Sequence, residues 1–330
     1  MIHRLLMCFL AFAMPATVAA TPVRLIFDTD IGNDIDDALA LALIHSLQTR
    51  GEATLLAVTV SKDNPWAAPY VDILNTFYGR PKIPIGAVRD GKTREDGNYV
   101  RKICSTGVYP HELVSGRDAP EAILLLRRIL AAEEDGAVVV VQTGFSTNLA
   151  RLLKSPFDSV SPLSGVELVR RKVRFISMMG GNFSTGAGGE YNIVTDLEAE
   201  RALLSDCPVP VVVSGYEIGK RILYPARSIE TDFTYVAHHP VAEAYRLYDR
   251  MPYDRPTWDL TSVLYAVRPE KSFDTSQPGR ISVTAKGQTV FTPEAKGLDR
   301  YLLATQRQCD RALAAMLELV PMRPRAAERR

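Results

Sequence analysis

Residues 23–37 read VRLIFDTDIGNDIDD: an apolar run, Val23 to Phe27, that breaks into five aspartates within the ten positions 28–37. Consecutive branched and aromatic residues, with almost no polar alternation, predict a strand covered on both faces. Similar runs recur at ATLLAVTV (53–60), KIPIGAV (82–88), AVVVVQTG (137–144), RKVRFISMMGG (171–181) and VPVVVSG (209–215). Amphipathic stretches such as APEAILLLRRILAAEE and DLEAERALLSD lie between them. Buried strands alternating with helices specify an α/β fold, an open and mostly parallel, Rossmann-like sheet flanked by helices. The last third is more irregular. It reads as a C-terminal helical cap, with helices near 238–250 and 256–267 and a final one near 294–319.

In sheets of this kind ligands gather in the crevice beyond the carboxyl ends of the strands. The residues found there are Asp28, Asp30, Asp36 and Asp37, then Asp63 and Asn64, Thr143 and Gly144, Met179 to Asn182, and Glu190 with Asn192. Four carboxylates cannot stay ionised together at a poorly solvated strand end without a counter-charge. A divalent cation supplies it, and hard oxygens without Cys or His favour calcium or magnesium over zinc. Capping of the following helix, ALALALIHSL, accounts for one or two of the aspartates and leaves the rest. An EF-hand is excluded, because its twelfth position counted from Asp28 is Leu39.

Lys plus Arg number 39 against 38 Asp plus Glu, so no polyanionic partner is indicated and no nucleic-acid function is expected. The basic tail MRPRAAERR reads as a solvated end. The start, MIHRLLMCFLAFAMPATVAA, has the layout of a secretory signal peptide cleaved after Ala19 or Ala20. Its apolar run is shorter than the roughly 20 residues of a membrane span. The expectation is a periplasmic or secreted protein without a membrane anchor, built as a leader (1–20) and one domain (21–330). Cys104, Cys207 and Cys309 would remain, permitting at most one bridge.

DTDIGNDIDDALAL (28–41) resembles the N-terminal signature of the nucleoside hydrolases, Asp-x-Asp-Pro-Gly-x-Asp-Asp-Ala. Further segments follow in the family's order: VVVVQTGFSTNLARLL (138–153), ISMMGGN (176–182), GGEYNIVTDLEAERALL (188–204) and TWDLTSVLYAVRP (257–269). The resemblance covers roughly residues 23–270. It implies calcium-dependent hydrolysis of ribonucleosides to ribose and free base, and a homo-oligomer, dimer or tetramer. Asp30, Asp37, the Thr143 carbonyl and Asp259 would hold calcium, and Asp36 would be the general base. Glu190, Asn192, Met179 and Asn64 (or Asp63, one residue earlier) would meet the ribose.

The chain also departs from that pattern. Ile31 replaces the proline, and two extra residues separate Gly32 from the aspartate pair. Trp258 stands where many relatives carry a proton-donating His. A purine-preferring subset is similar in having Trp there, which points to purine nucleosides, with Trp66, Tyr99 or Tyr109 as a second aromatic wall. His238 and His239 could donate a proton to the leaving base or lie in ordinary loop surface. Ser184 replaces a sugar-contacting Asn. Two other readings compete: a magnesium phosphatase of the haloacid dehalogenase type, with Asp28 as nucleophile, and a non-catalytic nucleoside- or ribose-binding protein. Asp36 beside Asp37 favours the hydrolase over the binder.

Overall fold

The structure is a computed structural model, described over residues 21–324. The six strands expected from the apolar runs all form: β1 (Val23–Thr29), β2 (Ala53–Lys62), β3 (Ile85–Lys92), β4 (Val138–Gln142), β5 (Val173–Met179) and β6 (Val211–Ser214). Six further strands follow: β7 (Leu223–Tyr224), β8 (Arg255–Pro256), β9 (Asp274–Thr275), β10 (Gly279–Val283), β11 (Thr289–Pro293) and β12 (Arg300–Leu303). The main sheet runs β3-β2-β1-β4-β5-β6-β12-β9, parallel throughout except for the β9 edge. From β1 the chain winds outward through β2 and β3, then returns to the other side of β1 with β4. The winding reverses between β1 and β4, which is where an open α/β sheet leaves its binding crevice.

Both sheet faces are covered, as the unbroken apolar runs require. Leu25, Phe27, Val139 and Val141 pack on one side with Leu39, Leu43, Leu260 and Val263. Ile26, Val138 and Val140 pack on the other with Leu149, Leu152 and Leu203. The helix Asp36–Thr49 is buried along nearly its whole length, which explains why ALALALI has no polar stripe.

The C-terminal third departs from the expected final helix. That helix spans Gln306–Leu319, and the expected earlier part, 294–305, holds β12 instead. β12 joins the main sheet beside β6, with Arg300 opposite Val212. A four-residue strand carries too short a pattern to separate from a helix start. Cys104, Cys207 and Cys309 are free thiols, so the one bridge that their number allowed is not formed. The leader, residues 1–20, lies outside the described residues. Among the described residues no helix is long and apolar enough to cross a membrane.

Candidate active site

A cavity of about 600 Å³ opens beyond the carboxyl ends of β1, β4 and β5. Asp30, Asp36, Asp37, Thr143, Met179, Glu190, Asn192, Trp258 and Asp259 all line it. These residues are separated by up to 229 positions in the sequence, and the winding reversal brings them together.

The turn after β1 sets the acidic floor. Gly32 takes φ +112, a left-handed conformation that favours glycine, and the chain re-enters a helix at Asp36. The N-cap, Ile35, brings no side-chain bond; Asp34 Oδ1, one residue earlier, accepts the backbone N–H of Ile35 (2.6 Å) and of Asp36 (3.4 Å). Asp36 and Asp37 occupy the first helical turn, where the dipole favours negative charge. Thr29 donates its hydroxyl to Asp37 Oδ1, and Asp36 Oδ2 accepts the backbone N–H of Asp259 at 3.1 Å. Gly144 lets the loop after β4 lie against this turn; a Cβ there would fall 2.5 Å from the Asp30 nitrogen.

Carboxylate oxygens of Asp36, Asp37 and Asp259 lie within 4.8 Å of one another, all buried. Burial, then repulsion between the carboxylates, pushes all three well above the ordinary carboxylate range. Asp30, beside them, is pushed up to about 6, chiefly by burial. The neighbouring cations are committed elsewhere: Arg255 pairs with Asp34, its Nε 2.9 Å from Oδ1, and Lys62 bonds Asn33. An all-oxygen, buried and unneutralised cluster fits a hard divalent cation. Asp36, expected as the base and not as a ligand, shares this trio with Asp37 and Asp259.

The wall of the cavity formed by Glu190 and Asn192 is as well ordered. Glu190 accepts backbone N–H bonds from Gly181 (3.2 Å), Asn192 (3.0 Å) and Ile193 (3.4 Å). Burial nonetheless pushes its carboxyl up to about 7. Asn192 donates from Nδ2 to the Thr143 carbonyl (2.9 Å) and to Met179 Sδ (3.3 Å), which leaves its amide oxygen for a ligand.

Asn64 does not reach the cavity. Its amide is spent on the 94–96 loop, donating to the carbonyls of Arg94 (3.0 Å) and Glu95 (3.1 Å), and Asp63 accepts from the Arg94 side chain. The expected second aromatic wall is also elsewhere. Tyr99 is buried under the β1 turn, donating to the Asp34 carbonyl at 2.6 Å, while Trp66 and Tyr109 pack with the core. The aromatic residues at the cavity are Trp258, Tyr216, Tyr248 and Tyr191. Trp258 stacks on Tyr216 with ring centroids 5.3 Å apart and donates its indole N–H to the Tyr216 carbonyl. Arg255 lies over both Tyr248 (4.9 Å) and Trp258 (5.3 Å). β8, only two residues long, delivers this arginine and gives no periodic signal in the sequence. His238 bonds Glu243 at the surface and His239 is buried as the N-cap of the helix Pro240–Tyr248; neither lines the cavity. Asn182 lines it, whereas Ser184 does not.

Asp28 answers the phosphatase reading. It shares the sheet face of Ile26, away from the helix Asp36–Thr49, because successive strand side chains alternate. Thr59 and Asn148 hold its Oδ1, it is fully buried, and it does not line the cavity. A nucleophile cannot work from there.

A second buried carboxylate on that side, Glu200, accepts from Ser146 and is pushed up to about 7 by burial. A raised folded-state value adds stability below the unfolded carboxylate range, and this is lost as pH rises from about 4.5 through 7. Glu200→Gln should therefore flatten the fall in unfolding free energy between pH 5 and pH 8, followed by calorimetry, by up to about 3 kcal/mol. An unchanged slope would mean that Glu200 titrates normally.

The inosine-uridine preferring nucleoside hydrolase model matches residues 25–315. The chain is 29% identical over 224 residues to the pyrimidine-specific ribonucleoside hydrolase RihA of Enterobacter sp. (strain 638), covering 62% of this chain and 64% of that protein. It is 27% identical over 199 residues to the inosine-uridine preferring nucleoside hydrolase of Leishmania major, covering 56% and 58%. The match thus spans somewhat under two thirds of each relative's length. In three dimensions it is similar to a plant nucleoside hydrolase, with TM-score 0.69 and 20% identity over 91% of this chain and 99% of that one. With the family's model matched across the described sheet and every strand end that builds the cavity, the chain belongs to the inosine-uridine preferring nucleoside hydrolase family.

Proposed function

We propose that the chain hydrolyses the N-glycosidic bond of ribonucleosides, purine nucleosides preferred, with calcium as its cation. The observation that carries this reading is the buried trio Asp36, Asp37 and Asp259 at the floor of a cavity walled by Glu190 and Asn192. Asp30, Asp37, Asp259 and the Thr143 carbonyl would hold the cation, with Asp36 beside it. Bound there, calcium lets these carboxylates stay ionised together and acts as a Lewis acid that lowers the pKa of water. Asp36 takes the proton from the attacking water as its oxygen bonds the anomeric carbon. The base departs with the electron pair of the broken C–N bond. Positive charge grows on the ribose ring as that bond breaks, and the carboxylates stabilise it more than the neutral ground state. Glu190 and Asn192 orient the ribose hydroxyls, and Met179 packs beside the sugar.

Ribose release from a panel of purine and pyrimidine nucleosides, with calcium and with chelator, tests the reading. Release that needs calcium supports it; no release from any nucleoside overturns it. Trp258 and Tyr216 supply the aromatic surface that supports a purine preference. Trp258→Ala should raise KM for inosine about 10- to 100-fold, the worth of one base–aromatic stack. An unchanged KM would place the base elsewhere. The leader-like layout of residues 1–20 supports export, and N-terminal sequencing of the mature protein would locate cleavage.

A further inference from the structure

Lys62 ends β2 with its side chain fully buried, a placement lysine almost never takes unless paired. Its ammonium donates to Asn33 Oδ1, and Glu95 Oε1 lies 3.8 Å away. Asn33 in turn donates from Nδ2 to Asp30 Oδ2 at 2.7 Å. A carboxamide has one oxygen and one nitrogen end, so the ammonium that takes the oxygen decides that the nitrogen faces Asp30. Asn33, Glu95 and Asp30 line the cavity, and Lys62 lies behind them. The turn rests on the lysine stem: a Cβ on Gly32 would stand 3.4 Å from Lys62 Cδ. Asn33 and Asp34 fall in the longer spacing between Gly32 and the aspartate pair, and each is held by a cation, Lys62 on one and Arg255 on the other.

We propose that Lys62 is a positioning residue for the cation site, holding the Asp30 carboxylate at the cavity through the Asn33 amide. The proposal rests on the reading of the acidic cluster as a cation site. Burial pulls the Lys62 ammonium below its ordinary range, and the carboxylates of Glu95, Asp30 and Asp37 oppose that shift.

The test is calcium binding by the full chain, followed by titration calorimetry and by terbium luminescence, for Lys62→Met, Asn33→Ala and the double variant. Each single change is expected to weaken calcium affinity about 10- to 100-fold, the usual effect of removing a partner behind a metal ligand. The double variant should be no weaker than the singles, because both break one relay. Lys62→Gln, which keeps a donor for Asn33, should recover most of the affinity. Additive losses would overturn the proposal. So would tighter binding by Lys62→Met, which would make the lysine a repelling charge. Should Lys62→Met fail to fold, Asn33→Ala at its half-buried position still reads the relay, and wild-type affinity there overturns it. A wild-type chain that binds neither ion removes the cation reading and this proposal together. Binding by the wild type that the variants match removes the proposal alone.

Discussion

Asp36→Asn is expected to lower kcat for ribose release about 10³-fold, in the middle of the range for losing a general base. It should also raise the melting temperature of the chelator-treated protein, because the two effects have different origins. The loss in rate follows from chemistry, since a carboxamide cannot accept the proton of the attacking water. The gain in stability follows from burial: Asp36 lies among Asp34, Asp37 and Asp259, and desolvation and repulsion both disfavour its charge. Asparagine removes that charge and keeps an oxygen for the Asp259 backbone N–H. Steady-state ribose assays and calorimetry on the same preparation check both. An active Asp36→Asn enzyme would move the base to another carboxylate, and an inactive but destabilised one would mean that the residue is structural.

Removing the cation should abolish ribose release and lower the melting temperature by about 5 °C relative to protein at calcium one hundredfold above its Kd. Saturation to that level contributes about 2.7 kcal/mol through binding to the folded state alone. The pH dependence should change with it. In chelator the raised values of Asp36, Asp37 and Asp259 mean that the folded chain binds more protons than the unfolded one. Stability is then greatest below the ordinary carboxylate range and falls as pH rises through the raised values, about 6 for Asp30. With calcium bound the order reverses, because protonation displaces the ion. Melting curves at pH 5 and pH 8, with and without calcium, should cross. Parallel curves would mean that the cluster binds no cation.

Most of the frame was legible in the sequence. Six strands were readable because a parallel strand covered on both faces is an uninterrupted apolar run. Their ends were readable because ligands gather there in parallel sheets, and Asp36, Asp37, Thr143, Glu190 and Asn192 do line the cavity. What was missed came from short or irregular elements. β8 holds only two residues, yet it carries Arg255 over Trp258. Tyr216 lies in a five-residue helix, and Tyr248 closes a helix whose other face is core. Proximity in sequence to a strand end misplaced Asn64, whose amide was already committed to the loop opposite.

The sequence by itself determined the parallel strands and the acidic turn, because hydrophobic periodicity and charge density are local properties of the chain; the strand order came only with the fold. Only the tertiary structure decided which carboxylates meet. Asp259 approaches Asp36 across 223 residues, and Asp28 faces the opposite side of the sheet from Thr29. It alone also decided that the extra residues after Gly32 are held by Lys62 and Arg255. Side-chain direction and long-range pairing depend on how the layers pack, and no local pattern encodes that.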